Sequence, residues 1–264
     1  MIAMQASIDV SRDLSVQYLL RIGDTCLILA QRLAEWCGHA PVVEEDIALS
    51  NMALDLIGQA RAVLTRAGQL EAERGGELHD EDQLAFLRDE RDFRNLTLVE
   101  LPRGDFAATM LRNLAVSTFL ELLWQRLEAS SDAELAGIAG KAVKEARYHR
   151  QHAADWVVRL GDGTPESTAR TTAALEWLWP YVAEIFDSDA IDDHAAGERI
   201  GPRWSELRDE WRERFAAVIA EAGLALPADR PFRSTGKCGR HSEHLGYILA
   251  EMQHLQRSFP GGVW

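Results

Sequence analysis

The stretch Leu19-Leu-Arg-Ile-Gly-Asp-Thr-Cys-Leu-Ile-Leu-Ala-Gln-Arg-Leu-Ala-Glu-Trp36 decides the fold class. Its apolar residues recur every three or four positions, which is the period of one face of an α-helix. The pattern predicts a first long helix over about 13–37, which Gly38 and Pro41 bring to an end. The period-2 alternation that marks strands is nearly absent from the sequence. We therefore expect an all-α protein.

The same helical period recurs on the C-terminal side of this stretch. It predicts three more long helices, over about 44–70, 105–129 and 131–160, and Asp105 and either Ser131 or Asp132 are suitable caps for the last two. Short connections join the four helices in pairs, so the members of each pair are expected to pack antiparallel. The sequence thus predicts a ferritin-like antiparallel four-helix bundle.

Additional helices are predicted outside this bundle, over about 83–95, 166–186, 204–222 and 241–257. The acidic stretch 187–198 is interpreted as a linker or surface loop, and 227–239 as irregular chain. No boundary separates two independent cores, so a single ferritin-like helical domain is expected over 1–264. Its core bundle takes up about 13–160, and a C-terminal helical extension takes up about 165–257.

Composition and charge exclude several classes of partner. The formal net charge is −14 over 264 residues, whereas a nucleic-acid surface requires clustered cations. No run of eighteen or more apolar residues is present, so no membrane span is expected. Residues 1–10 lack the basic-then-apolar pattern of a secretory signal. Cys26, Cys37 and Cys238 form no even or closely spaced set, and the first two are predicted to be buried reduced thiols. We therefore expect a cytoplasmic protein.

The chemistry to test in such a bundle is a di-iron centre. In di-iron carboxylate bundles two helices each supply one Glu and the other two each supply Glu-x-x-His, all pointing inward at mid-height. Antiparallel neighbours of this length place ligands about thirty residues apart along the chain. Asp24 and Asp55 have this spacing in the first pair of helices, but Gly58 occupies the position that histidine requires.

The second pair of helices also lacks some of the Glu and His residues that a di-iron centre requires. His149 is preceded three residues earlier by Ala146, although Glu145 lies on the same helical face. The matching stretch 115–119 of the preceding helix has no acid, and Glu121 is out of register. At best the sequence keeps four relic ligand positions: Asp24, Asp55, Glu145 and His149. We predict no bound metal and no catalytic residue in this chain, and interpret the four positions as a buried polar cluster satisfied by hydrogen bonds and arginines. The alternative is a self-sufficient di-iron carboxylate oxidase or oxygenase.

Two features of the C-terminal part of the chain, a Glu-x-x-His motif and a group of tryptophans, do not point to a single function. Glu251-Met-Gln-His254 is a literal Glu-x-x-His, but it has no partner hairpin and is expected on a solvated or interface helix. The tryptophans at 177, 179, 204 and 211 are consistent either with a partner contact or with core packing.

Beyond these patterns, the sequence resembles the C-subunit family of the bacterial multicomponent phenylacetyl-CoA oxygenase, the 1,2-phenylacetyl-CoA epoxidase. The resemblance extends over nearly the whole chain. It rests on Leu33-Ala-Glu-Trp-Cys-Gly-His-Ala-Pro41, Asn51-Met-Ala-Leu-Asp-Leu-Ile-Gly-Gln-Ala60, Leu84-Ala-Phe-Leu-Arg-Asp-Glu-Arg91, Lys144-Glu-Ala-Arg-Tyr-His149, Trp156-Val-Val-Arg-Leu-Gly-Asp-Gly163 and His241-Ser-Glu-His-Leu-Gly-Tyr247.

The resemblance implies a ferritin-like structural subunit that has lost the iron site and has no cofactor of its own. It implies a homologous catalytic A subunit that keeps the di-iron centre, a small B subunit, and a reductase component with FAD and an iron–sulfur cluster that uses NADPH. The implied reaction is ring 1,2-epoxidation of phenylacetyl-CoA in aerobic phenylacetate degradation. It assigns no catalytic residue to this chain.

Overall fold

A computed structural model describes residues 5–262. The regular secondary structure in this range is helical, and the β-structure there is limited to one isolated antiparallel bridge between Thr235 and Arg240. The helices of this range are, in chain order, α1 (Leu14–Ala34), α2 (Val43–Glu73), α3 (Glu81–Phe86), α4 (Thr97–Glu100), α5 (Phe106–Leu127), α6 (Ala133–Gly161), α7 (Pro165–Val182), α8 (Ala190–Gly197), α9 (Arg208–Glu221) and α10 (Glu243–Ser258). Short 3₁₀ turns lie at Glu90–Asp92, Ala183–Phe186, Trp204–Leu207 and Gly236–Cys238. The all-α fold class is confirmed.

Aspartate caps mark the start of α1, α5 and α6. The Asp105 carboxylate accepts a hydrogen bond from the backbone N–H of Ala108 (2.9 Å), and Asp132 accepts one from Leu135 (2.9 Å). Asp13 caps α1 in the same way. These oxygens satisfy amides that have no partner within the helix, so the caps predicted at Asp105 and Asp132 are confirmed.

The helices α1, α2, α5 and α6 form an antiparallel bundle. α1 packs along α2 and α5 packs along α6, so each consecutive pair is a hairpin. The hairpins meet along two seams. Trp36, just beyond α1, donates from Nε1 to Thr109 near the start of α5 (3.0 Å), and His149 of α6 pairs with Asp55 of α2 (3.1 Å). This arrangement is consistent with the predicted ferritin-like four-helix bundle.

The centre of the fold is made by α1 and α5, which are buried along nearly their whole length. α5 is long and apolar enough to cross a membrane by length and composition alone, but 94% of the apolar window is buried inside the fold. A helix that is apolar all round and enclosed by protein is a core helix. Buried apolar side chains from α1 to α10 belong to one cluster. The prediction of one domain over the whole chain stays a prediction.

The remaining helices cover α1 and α5 from outside. α8 packs on α1, α7 and α9 pack on α5, and α10 packs on α3 and α4. Of the four C-terminal tryptophans for which a partner contact or core packing was predicted, three are buried in this layer: Trp179, Trp204 and Trp211. Trp211 donates from Nε1 to the carbonyl of Ala115 on α5 (2.8 Å). Core packing therefore accounts for these three, whereas Trp177 is partly exposed.

The prediction of a linker or surface loop over 187–198 is wrong. Residues 190–197 form α8, and Asp192 is fully buried beside Arg21 (3.4 Å) and Lys237 (3.7 Å). Acidic chain normally indicates a solvated segment. Here the acids neutralise the fully buried guanidinium of Arg21, which is too costly to leave unpaired.

Three smaller predictions also differ from the structure. Cys26 is buried as expected, but Cys37 is exposed after the end of α1. The helix expected over 83–95 is divided into α3 and a 3₁₀ turn, and α4 was not predicted. Cys37 is exposed because α1 ends at Ala34, before it. In the other two cases the local pattern was short, so tertiary packing outweighed it.

Candidate functional site

Asp24, the relic position on α1, binds an arginine. Its carboxylate accepts hydrogen bonds from both Nη atoms of Arg88, with Nη1 at 3.0 Å from Oδ2, and from the backbone N–H of Arg94 (2.8 Å). The side chains of Asp24 and Arg88 are both fully buried. A bidentate guanidinium is the strongest neutralising partner that a protein offers a carboxylate. Both oxygens of Asp24 are therefore engaged by donors.

Arg88 is itself held in place from several sides. Its Nε donates to the carbonyl of Leu84, and its Nη1 donates to the carbonyl of Asp92 (3.1 Å). The guanidinium lies over the ring of Phe93 at 4.2 Å from the ring centroid. The segment between α3 and α4 thus positions one cation against α1, and its backbone carbonyls satisfy the donors that Asp24 does not use.

Asp55 and His149 form a pair across the seam between α2 and α6, with His149 Nε2 3.1 Å from Asp55 Oδ2. His149 is buried and Asp55 is partly exposed. Burial lowers the pKa of His149 below its ordinary value, and the hydrogen bond to Asp55 only partly opposes this effect. The imidazole is therefore neutral at pH 7, which allows it one N–H donor for this bond.

Glu145 bonds to an amide on the neighbouring helix. Gln59 of α2 donates from Nε2 to Glu145 (3.0 Å), and its Oε1 accepts from the Cys26 thiol of α1 (3.7 Å). Lys141, one turn earlier on α6, lies 3.5 Å from the other Glu145 oxygen. Burial raises the pKa of Cys26, with nearby Asp24 and Glu145 adding to the effect, so the thiol stays protonated. A hydrogen-bonded chain of Cys26, Gln59 and Glu145 therefore connects α1, α2 and α6.

Glu121, the acid closest to the missing ligand on α5, is also occupied. Arg150 lies 2.6 Å from one carboxylate oxygen, Arg147 lies 3.2 Å from the other, and Arg214 of α9 lies at 3.5 Å. Its side chain is almost fully buried. Three guanidinium groups around one carboxylate make it a structural anchor between α5, α6 and α9.

The four relic positions do not converge on one point. Asp55 and His149 are paired, Glu145 lies nearby, and Asp24 points to the opposite side of α1. Among residues 5–262 no three His, Cys, Asp or Glu side chains are grouped so that they could hold a metal ion. The buried face of α6 instead carries small apolar residues: Ala139, Ala142, Ala146 and Ala153. The residues present do not fit a di-iron cluster, which needs several carboxylates and imidazoles around one volume.

Sequence reasoning expected arginines beside these acids but did not identify Arg88 and Arg94. Both lie in the stretch 83–95, for which the sequence predicted only a helix. It also missed His241, whose Nδ1 lies 3.0 Å from buried Glu100. On α10, Glu251 and His254 are both exposed, as expected for a solvated or interface helix.

These observations define a class: a ferritin-like helical bundle that lacks the complete Glu and Glu-x-x-His ligand set. The chain belongs to the family described as phenylacetic acid catabolic protein, which it matches over residues 1–264. It is 49% identical over 247 residues to the C subunit of the 1,2-phenylacetyl-CoA epoxidase of Escherichia coli (strain K12), an alignment that covers 94% of this chain and 98% of that protein. The resemblance found in the sequence is confirmed.

Proposed function

We propose that this chain is the structural subunit of a phenylacetyl-CoA epoxidase and has no catalytic metal of its own. The observation that carries the proposal is the buried ion pair of Asp24 and Arg88. A guanidinium bound to both oxygens of a carboxylate excludes a metal cation from the same oxygens, because both ligands compete for the same lone pairs. The other relic positions, which bond to each other or to neighbouring side chains, support the same function.

The role of this chain in the proposal is mechanical. A di-iron oxygenase needs its ligand helices held within a fraction of an ångström, and a rigid neighbouring bundle supplies this better than loops do. Both α1 and α5 are buried along nearly their whole length. This burial supports such rigidity, as do the ion pairs of Asp24 with Arg88, Arg21 with Asp192 and Glu121 with Arg214. An obligate contact of this kind buries more than about 2,000 Å² in total.

The partners follow from the same proposal. A homologous catalytic A subunit holds the di-iron centre and the phenylacetyl-CoA, and the oxygenase also contains a small B subunit. A reductase component with FAD and an iron–sulfur cluster delivers electrons from NADPH. We place the assembly in the cytoplasm, in aerobic phenylacetate degradation. The relative in Escherichia coli is described as one subunit of an epoxidase, which supports an assembly of several chains.

Metal analysis combined with conservative substitution tests the proposal. The chain is expressed alone in iron-supplemented medium, and also together with the catalytic subunit. We expect substoichiometric iron in the chain alone and iron in the complex. In the complex, Glu145→Gln and His149→Gln should each keep epoxidation of phenylacetyl-CoA within about twofold of wild type, because uncharged side chains of similar shape preserve the bonds across the seam.

A matched control is Glu→Gln substitution of one iron ligand in the catalytic subunit, which is expected to abolish turnover. Two tightly held irons per isolated chain, together with loss of turnover in the His149 variant, would instead establish the self-sufficient di-iron enzyme.

A further inference from the structure

A cleft in the C-terminal part of the fold lies outside the site described above. It opens between the end of α7, the first turns of α9 and the irregular chain 229–233. Aromatic rings that are almost fully buried form its floor, and exposed arginine side chains form its rim. We call it the arginine cleft and define it by these residues: Trp179, Phe186, Arg208, Arg212, Arg230 and Arg233.

The charge of the arginine cleft is opposite to that of the whole chain. Asp and Glu outnumber Lys and Arg by 42 to 28, yet four arginines line the cleft beside one carboxylate, that of Asp229. Asp229 lies 3.5 Å from Arg212. Asp187, at the edge of the cleft, lies 3.6 Å from Arg233. Both distances are longer than that of a close ion pair. Even with these two acids counted, two of the four positive charges have no acidic counterpart.

Those two charges belong to Arg208 and Arg230. Within residues 5–262 neither guanidinium donates a hydrogen bond or pairs with a carboxylate. The Arg208 guanidinium instead lies over the Phe186 ring, 6.0 Å from its centroid, and that of Arg212 lies over Trp179 at 5.9 Å. Contact with an aromatic face leaves the N–H donors in the guanidinium plane free. The cleft therefore presents donors that are held in place but not satisfied.

The chain 229–233 is held at the cleft by its own contacts. Arg233 donates from Nη1 to the carbonyls of Arg230 (2.9 Å) and Phe232 (2.8 Å), which ties this stretch together. Phe232 packs edge-on against Tyr181 of α7, with the ring centroids 5.3 Å apart. A rim that is fixed before binding loses less conformational freedom when a ligand arrives.

The size of the cleft favours a small group. The space open to the centre of a water molecule is about 50 Å³, and one water needs roughly 10–15 Å³ of such space. About four water-sized groups therefore fit. This space matches one tetrahedral oxyanion and is too small for a whole nucleotide, so the remainder of a larger ligand lies outside the cleft.

The chemistry of the rim favours a phosphoryl group over a carboxylate. A guanidinium fork matches two oxygens of either anion, but a carboxylate has only two oxygens to share. Several guanidinium groups around one space suit an anion with three or more acceptor oxygens. A phosphate monoester carries a charge of about −1.5 to −2 at pH 7, which corresponds to the two positive charges that lack acids.

We infer that the arginine cleft binds the phosphoryl group of a small ligand, either a phosphate ester or free phosphate. Arg208 and Arg230 supply the unpaired guanidinium groups, and Arg212 and Arg233 lie beside them on the rim. The inference goes beyond the proposed function, because it concerns a ligand of this chain and requires neither a metal nor the catalytic subunit.

Isothermal titration calorimetry of the full-length chain tests the inference, with inorganic phosphate, AMP and adenosine as the titrants. Arg208→Gln and Arg230→Gln are the test variants, because neither guanidinium makes a hydrogen bond within the described fold. Arg240→Gln is the matched control. Over residues 5–262 the Arg240 side chain is also exposed and unpaired, but it does not line the cleft. Circular dichroism and thermal unfolding check that each variant is folded.

We expect phosphate and AMP to bind the wild-type chain and adenosine not to bind. Each test variant should raise the Kd for phosphate roughly tenfold, the effect of losing one charge-assisted hydrogen bond, and Arg240→Gln should bind like wild type. A lower Kd for AMP than for phosphate would support a phosphate ester as the ligand, and equal values would support free phosphate.

Three outcomes would overturn the inference. The first is that neither phosphate nor AMP binds. The second is that both test variants bind like wild type, or that Arg240→Gln weakens binding as much as they do. The third is that adenosine binds as tightly as AMP, because the phosphoryl group would then not be recognised. None of these outcomes depends on iron or on epoxidation, so the inference and the proposed function can fail separately.

Discussion

Replacing Arg88 with methionine tests how the interior tolerates Asp24. Methionine keeps most of the aliphatic volume of arginine but removes the guanidinium, so Asp24 keeps only the Arg94 amide as a donor. Removing one partner of a buried ion pair costs about 3–5 kcal/mol, because the remaining charge is neither solvated nor neutralised. Both side chains are fully buried here, so we expect a loss of about 4 kcal/mol, near the middle of that range.

The double variant Asp24→Leu, Arg88→Met separates the charge effect from packing. It removes both charges and leaves unpaired only the Arg94 amide and the carbonyls that Arg88 served. The lost hydrogen bonds of these backbone groups should lower the free energy of unfolding by about 1–2 kcal/mol in total, because water and small local shifts replace part of them. The double variant should therefore be about 2 kcal/mol more stable than Arg88→Met alone.

Urea unfolding followed by tryptophan fluorescence measures these free energies, because Trp124, Trp204 and Trp211 are buried. Arg170→Met is the control, since Arg170 pairs with Glu166 on the surface of α7 and both are largely exposed. Its unfolding midpoint should match wild type. A loss below about 1 kcal/mol in Arg88→Met, or a double variant that is no more stable than Arg88→Met, would refute the reasoning.

Three further predictions concern other parts of the fold. Gly68→Ala should destabilise the protein by about 1–3 kcal/mol, because the added Cβ would lie 1.8 Å from the backbone carbonyl oxygen of His79. Gly58→Ala on the same helix should stabilise the protein by up to about 1 kcal/mol, because a Cβ at that position meets no atom within 4 Å. Thermal unfolding that ranks them in the opposite order would contradict this. His149 has a lowered pKa when folded, so the native state binds fewer protons than the unfolded state. The contribution of neutral His149 to the free energy of unfolding is present above about pH 6.5 and is lost as the pH falls below that value. His149→Gln should flatten the pH dependence of stability between about pH 7.5 and 5.5, whereas exposed His254→Gln should not; equal slopes would exclude His149 as the cause. Asp192→Asn removes a buried charge opposite Arg21 and should destabilise by about 1–3 kcal/mol. No change in circular-dichroism melting would mean that the charge of Asp192 does not stabilise the fold.

The helices were predictable because their determinants are local. Apolar residues at a period of 3.6 and carboxylate caps act within a few positions of the chain, so α1, α2, α5 and α6 follow from the sequence. The same reasoning failed for α8, which is short and acidic. Its helix is stabilised by burial of Asp192 against a distant arginine rather than by its own periodicity.

The relic positions show the limit of a spacing argument. A distance of about thirty residues fixes the height of a side chain along the bundle axis, but not the direction in which it points. Asp24 and Cys26 are at nearly the same height on α1, yet ~100° of rotation per residue directs them to different neighbours. Cys26 faces Gln59 on α2, whereas Asp24 faces Arg88.

The sequence by itself determined the all-α class, the two hairpins and the absence of a complete set of Glu and Glu-x-x-His ligands, because composition and period are properties of the chain alone. Only the tertiary structure decided that Arg88 neutralises Asp24, and that Arg214 of α9 pairs with Glu121 of α5. Both depend on which surfaces meet after folding. Contacts between residues far apart in the chain depend on how the helices rotate and pack against each other, and no local pattern encodes that rotation.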